Sequence, residues 1–458
     1  MGSIVSQLGD WIGWVAVAMV ALQEGGGPLD VAIVFAGHHL PAAMLTPVSG
    51  VVADRVDRRW LLCTASVGLG LVTVGMAAAA AVGAVGLLQL LLWVRSAGVA
   101  FVTPAERAAL PRVVDKDELL LAGALDSASW SVVFALGMAA GGALSVLGPA
   151  LALSIDALTF GASALLFARL PPIAPEHAPQ ARRPQLFRGI ADAWAVVWPR
   201  PVLRRAVFAK TPFSLAAGAG WIALALQADA LGGAALGGLG FGLLHAARGV
   251  GTGVGPVLVA HRASAGGDRV RFWRTAVWVG LAGTVVVGFA TNPVVLVIAA
   301  LVWGVGGGTN WVVSNEQFQT RTADRILART SALDQVGSIM GMTVGVAAVA
   351  LLVEGGATLG VSVLIVAVPA AALWWWLDRA AVRETYQFRM ARGSILTSTS
   401  MATPQNSPRQ ESEGTRKSAV PMNSSPSTVA SSPSSPRSCA TTYQVSNGDA
   451  SPMAPPTV

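Results

Sequence analysis

Ionisable side chains inside long apolar runs are the first places in this sequence where chemistry could occur. Asp10 falls within the run 1–22, Arg95 within 84–106 and Arg248 within 234–260. A charge near the middle of a hydrocarbon layer costs on the order of 3 kcal/mol unless it is paired or hydrated, so each is either half of a locked pair or a group facing a wet passage. For Asp10 both readings stand: a protonatable carboxylate, alternately neutral and charged as a cavity opens to each side, or a structural carboxylate hydrogen-bonded to a neighbouring helix. Arg95 and Arg248 are the cations that fall well inside the runs. Arg248 precedes Gly249, Gly251, Gly253 and Gly255, and such small residues favour close helix packing, which supports an ion pair that locks helices over a second-half binding site. Asp126, Asp156 and Asp334 fall nearer the ends of their runs, where capping or pairing with basic loops is expected.

His38 and His39 are adjacent on one run. Neighbouring helical positions point roughly 100° apart, so the two rings do not easily share one ion, and a metal pair or proton relay is the weaker reading. Trp374, Trp375 and Trp376 close the last run and read as an interfacial anchor. No GxxxxGK[ST] segment is present, so the chain itself is not expected to burn ATP, and no cofactor is implied. Cys63 lies in an apolar run and Cys439 in a polar tail, which suggests neither a disulfide framework nor a metal site.

The elements that must carry these residues follow from composition. Of 458 residues, 53% are hydrophobic and 12% charged, and the mean hydropathy is +0.59. Apolar stretches long enough to cross about 30 Å of hydrocarbon recur down to residue 378. Runs such as 61–85 do not alternate apolar and polar residues, which excludes a transmembrane β-barrel. The class is an all-α membrane protein. The net charge of +7 does not mark nucleic acid as a partner, because the cations are spread over short loops.

The expected spans are 1–22, 30–53, 60–82, 84–106, 119–146, 149–168, 205–229, 234–260, 272–291, 293–315, 331–353 and 357–377. The connections at 23–29, 83, 147–148, 230–233, 292 and 354–356 hold no Lys or Arg, whereas the others carry Arg55, Arg58 and Arg59, then Arg107, Arg112 and Lys116, then cations from Arg169 to Arg205 and on to Arg392. Strict alternation of this kind is what the positive-inside rule gives for about twelve spans with both termini cytoplasmic. The expected organisation is an N-terminal six-helix bundle over 1–168, a cytoplasmic linker over 169–204, a C-terminal six-helix bundle over 205–378 and a basic segment with a tail over 379–458. The linker ends in a stretch, 186–198, that suits an amphipathic surface helix. The halves repeat: Ala124-Leu125-Asp126 with Gly137 matches Ala332-Leu333-Asp334 with Gly345. Residues 394–458 are rich in Ser, Pro and Thr and are read as a disordered cytoplasmic tail, either passive or a site of phosphorylation or partner binding.

The connection Gly50-Val-Val-Ala-Asp54-Arg55-Val-Asp57-Arg58-Arg59 resembles the signature between spans two and three of the major facilitator superfamily, with Asp57 where many members have Gly. The resemblance implies a charge network on the cytoplasmic face, with Gly50 permitting close helix approach, Asp54, Arg55, Arg58 and Arg59 as its charges, and Glu106 pairing with Arg58 or Arg59. Pro104-Ala-Glu106-Arg107-Ala-Ala-Leu-Pro111, Ser154-Ile-Asp156-Ala-Leu-Thr-Phe160 and Leu8-Gly9-Asp10-Trp11 are similar to the drug-proton antiporter branch that contains macrolide-efflux and enterobactin-exporter proteins. Arg95 resembles a span-four arginine linked with proton coupling, one residue out of register with Gly98. Two departures stand out. The Gly-Pro pair associated with efflux falls on Gly137-Met138, and the first span begins at Met1 where a basic leader is usual, so the expected start lies upstream.

The resemblance implies a major facilitator fold of two six-helix bundles that expels small amphipathic molecules, drug-like or siderophore-like, by proton antiport across the inner membrane, acting as a monomer. Its expected partners are the lipid bilayer, a small-molecule substrate and protons, with Asp10 and Arg95 as proton-coupling candidates. An importer or facilitator of a specific metabolite, and a non-transporting membrane sensor or scaffold, are the alternatives.

Overall fold

The computed structural model describes residues 2–23, 26–53, 56–114, 119–173 and 186–400. Every regular element among them is an α-helix. The first half contains α1 (Gly2–Gln23), α2 (Pro28–Ala53), α3 (Arg58–Ala81), α4 (Val85–Val113), α5 (Leu119–Ser145) and α6 (Pro149–Phe167). Two short helices, α7 (Leu186–Val197) and α8 (Pro201–Phe208), lead into α9 (Lys210–Ser264), followed by α10 (Arg269–Phe289), α11 (Pro293–Gln319), α12 (Asp324–Glu354) and α13 (Leu359–Ser400).

Local chemistry sets the helix starts. The Asp57 carboxylate accepts from the Arg59 N–H at 2.9 Å and the Trp60 N–H at 3.3 Å, which caps α3 and gives the aspartate in the signature connection a structural task. Asp268 caps α10 and Asn292 caps α11 in the same way. The connection expected at 230–233 is nearly absent: helical backbone continues to either side, and Gly233, at φ 56°, is the one residue inside α9 that leaves helical geometry. A positive φ is cheap for glycine, so α9 folds back there as two arms, 210–232 and 234–264. Its first arm is continuous with α8 in a single span, Pro201–Gly233, longer than the 205–229 expected. The last helix also runs beyond 377, to Ser400.

Eleven segments among the described residues are long and apolar enough to cross a bilayer, and α5 adds a shorter apolar stretch, Ser129–Ser145. Their outer faces are apolar as well. On α6, Leu151, Leu158 and Leu165 are exposed at seven-residue intervals, while Asp156, Phe160 and Ser163 are buried on the opposite side. Leucines displayed outward at that spacing suit a hydrocarbon surround, not water.

The helices of each half pack on one another. In the first, α1 lies against α5 and α6, α3 against α4 and α6, and α2 against α4; in the second, α9 contacts α10, α11 and α12. The internal repeat has a packing counterpart. Gly137 of α5 lies where a side chain would meet Trp11 and the Leu8 carbonyl of α1, and Gly345 of α12 lies where one would meet the Leu215 carbonyl of α9. Each glycine lets the fifth helix of its half press against the first. Between the halves, α5 meets the second arm of α9, and α2 meets α12. Gly142 lies against Gly238 and Gly242 in a close approach near the end of α5 that leads to the cation-free connection 146–148.

Candidate functional site

Three ionisable residues from three helices meet in the first half. The Arg95 guanidinium of α4 contacts the Asp10 carboxylate of α1 and lies 3.0 Å from an Asp156 carboxylate oxygen of α6. Asp156 is fully buried and Arg95 nearly so, whereas the Asp10 side chain keeps 24% of its surface exposed. The sequence permits this approach through Gly9 and Gly13 of α1: a side chain at either position would collide with the Asp156 carboxylate. The Phe160 ring, 5.2 Å from the guanidinium carbon, covers another side of Arg95. Two carboxylates thus share one fixed cation, and the cluster carries one negative charge when both are ionised. Uptake of one proton makes it neutral. In a low-dielectric interior that difference is large.

Sequence placed Asp10 and Arg95 inside spans, and the structure joins them. Asp156 corrects the expectation: it sits mid-helix against Arg95, not near an end capping or pairing with a loop. Asp334 is corrected likewise, since it is buried and pairs with Lys210 of α9 at 2.5 Å. Lys210, which the sequence reading passed over, also donates to Asn315 at 2.6 Å and stands 4.2 Å from the centre of the Trp311 ring. Asp378 receives both Arg205, at 3.0 Å, and Arg274, at 2.7 Å. Trp374 is wholly buried against Trp273, so of the three successive tryptophans only Trp375 and Trp376 face outward.

Arg248 is not half of a locking ion pair. Among the described residues no carboxylate lies within ion-pair distance of it. Its guanidinium carbon lies 4.5 Å from the centre of the Phe134 ring of α5, 4.6 Å from that of Trp221 and 5.0 Å from that of Trp303 of α11. The glycines around it serve packing, as expected: Gly251 and Gly255 meet the α11 backbone, and Gly304 and Gly308 return the contact. The surrounding rings form one connected group, Trp11 on Phe134 at 4.6 Å, Trp14 on His38 at 4.8 Å, Phe35 stacked on His39 at 4.4 Å and Trp221 on His245 at 4.0 Å. This group spans both halves and reaches α1 at the residue next to Asp10.

Of the signature residues, Gly50 lies on α2, and Asp54 and Arg55 fall outside the described residues. Arg58 is buried at the start of α3, where its N–H donates to the Ile173 carbonyl at 3.2 Å; Arg59 follows it, and Glu106 is half-buried on α4.

Paired helical halves of this kind, with charges held between apolar spans, define a multi-span α-helical membrane protein of the major facilitator type. Residues 1–400 match the family described as "transmembrane secretion effector", and the chain belongs to that family of the major facilitator superfamily. An uncharacterised MFS-type transporter of Sinorhizobium fredii, y4rN, is 30% identical over 252 residues, which cover 53% of this chain and 59% of that protein. A second, from Mycobacterium tuberculosis, is 33% identical over 138 residues, covering 29% of this chain and 31% of the relative. The matched stretches thus span less than two thirds of these relatives. Among solved structures, the nucleoside transporter NupG superposes with a TM-score of 0.62 at 15% identity over 82% of this chain and 96% of that one. A bacterial homologue of the iron transporter ferroportin, in an inward-facing state, gives 0.61 at 15% identity over the same shares, 82% and 96%. At such identity the likeness is one of fold.

Proposed function

We propose that this chain exports small amphipathic molecules by proton antiport, in the manner of the drug-proton antiporter branch, and that Asp10, Arg95 and Asp156 form its proton site. The observation that carries the reading is the sharing of one buried guanidinium by two carboxylates, of which Asp10 alone retains substantial exposure. A proton arriving through a cavity reaches Asp10 first, and Arg95 passes the change in charge to Asp156 without leaving its place. Alternating access follows from the two-half plan: the halves rock about the midplane, and the neutral cluster crosses between states at lower cost than the charged one.

The aromatic group between the halves suits a bulky, partly apolar substrate. The family description, a secretion effector, favours export over uptake. Alternation of cation-rich and cation-free connections supports an orientation in the cytoplasmic (inner) membrane with both termini inside. In the same reading Gly50, Asp54, Arg55, Arg58, Arg59 and Glu106 form the cytoplasmic gate, with 169–204 linking the bundles 1–168 and 205–378.

The test is transport in inverted membrane vesicles under an imposed proton gradient, comparing the wild type with Asp10→Asn. Gradient-driven uptake into the vesicles is expected for the wild type and its loss for the variant, with gradient-independent exchange retained. Normal gradient-driven pumping by Asp10→Asn would overturn the proton assignment.

A further inference from the structure

We infer that Arg248 is the anchor of an anion-binding subsite, so that the favoured substrate is an organic anion, a carboxylate on a flat aromatic body. This rests on the reading of the chain as a transporter and names the substrate class that it prefers.

Cations buried well inside the spans are paired, whereas Arg248 is half-buried. Arg95, Lys210 and Arg205 each meet a carboxylate of another helix. Arg248, also within a span, meets none among the described residues; it meets three aromatic faces and one histidine. Aromatic faces attract a guanidinium, but they leave its net charge uncancelled. A cation kept unpaired in a hydrocarbon layer marks a site whose counter-charge arrives from elsewhere.

Hydrogen-bond bookkeeping points the same way. The Arg248 Nε donates to the His245 Nδ1 at 3.2 Å, so Nδ1 is the acceptor and a neutral His245 ring carries its proton on Nε2. That Nε2 is buried and has no partner among the described residues, and neither do the indole nitrogens of Trp221 and Trp14. These side chains are contiguous: Trp221 lies 4.0 Å from His245 and 5.9 Å from Trp14, centre to centre. All three unpartnered groups are donors. A cluster that offers a half-buried cation and several buried N–H groups but no carboxylate is matched by a ligand rich in acceptors, and its ring faces are matched by a planar apolar body. A neutral substrate would leave the cation uncompensated, and a cationic one would add like charge.

The subsite also joins the halves. Phe134 belongs to the first half, while Trp221, His245, Arg248 and Trp303 belong to the second. A ligand held there touches both, as a substrate that reports its presence to the rocking motion must.

The experiment is equilibrium binding to the full chain in lipid nanodiscs, read by quenching of tryptophan fluorescence, with three probes of one shape: 1-naphthaleneacetate, its neutral amide and the cationic 2-(1-naphthyl)ethylamine. The carboxylate is expected to bind about tenfold or more tighter than the amide, with the amine weakest. Within Arg248→Gln the carboxylate and the amide are expected to bind with equal affinity, and Arg248→Lys is expected to restore part of the preference. Equal affinity of the wild type for carboxylate and amide would overturn the inference without recourse to any variant, so a poorly folding Arg248→Gln does not shelter it. Retention of the full preference by Arg248→Gln would also overturn it. Binding needs no proton gradient, so the three probes are compared without one. A failed anion preference beside intact gradient-driven flux refutes this subsite alone, whereas intact preference beside gradient-insensitive flux refutes the proton site alone.

Discussion

Arg95 holds its two carboxylates under unequal conditions, and that inequality makes the cluster testable residue by residue. Asp156 is fully buried between α1 and Arg95, with Gly9 and Gly13 leaving no room for water-sized separation on one side. Removing the guanidinium by Arg95→Met therefore strands a buried carboxylate, a change that costs about 3–5 kcal/mol when one partner of a buried pair is deleted. The expected result is a clear fall in the midpoint of thermal unfolding of the detergent-solubilised protein. Asp156→Asn placed in the same background is expected to return part of the loss, because an amide needs no counter-charge. An equal fall in the single and double variants would show that Arg95 acts on stability through its packing against Phe160 instead. The two ends of the pair with Asp10 were legible in the sequence, since an ionisable residue in an apolar run is conspicuous by type alone. Asp156 was not, because its contact with Arg95 depends on two glycines of another helix. Lys210 escaped notice for a related reason: α8 lengthens its span on the basic side, which carries a lysine expected near the surface into the interior.

Among the elements, the contact between α5 and the second arm of α9 carries the sharpest mechanical consequence. A side chain built on Gly142 would lie 2.9 Å from the Gly238 carbonyl and 3.0 Å from the Gly242 Cα, both backbone atoms that cannot turn aside. Gly142→Val is therefore expected to wedge the two helices apart at the cation-free end. Spin labels at Leu147 and Leu236, both exposed, should report a separation a few ångströms longer than in the wild type, with transport reduced. Gly161→Val, where the added atoms meet open space, is the control and should leave the distance unchanged. An unaltered Leu147–Leu236 distance in Gly142→Val would show that the two helices yield elsewhere. Helix count and connection charge were readable from sequence because hydropathy and the placement of arginine act one span at a time. Which helices face each other was not. Spans such as α5 and α9 are apolar nearly all round, facing lipid on one side and protein on the other, so they carry no polar stripe from which a buried face could be read. The repeated Ala-Leu-Asp start and the matched glycines were the exception, and they locate the same packing of fifth helix on first in each half.

Under the proposed antiport, the charge inventory of the two sites sets how the whole molecule should respond to a membrane potential. The cluster around Arg95 changes by one charge when it takes up a proton, and the surroundings of Arg248 call for one negative charge on the substrate. Exchange of one entering proton for one departing monoanion then moves two elementary charges in the same electrical sense, toward the cell interior as positive charge. Each charge is worth about 2.3 kcal/mol per 100 mV, so the pair gains about 4.6 kcal/mol per 100 mV of interior-negative potential. A neutral substrate of the same shape gains half of that. In proteoliposomes with the potential clamped by a potassium gradient and valinomycin, the logarithm of the steady-state accumulation ratio should therefore rise with potential about twice as steeply for 1-naphthaleneacetate as for its amide. Equal slopes for the two probes would mean that the anion does not cross with its charge intact, and a flat response to potential for the amide would mean that proton entry and substrate exit are not linked. Asp10→Asn, which can no longer exchange its proton, should lower the slope for the carboxylate to that of the anion moving alone, the value for one charge.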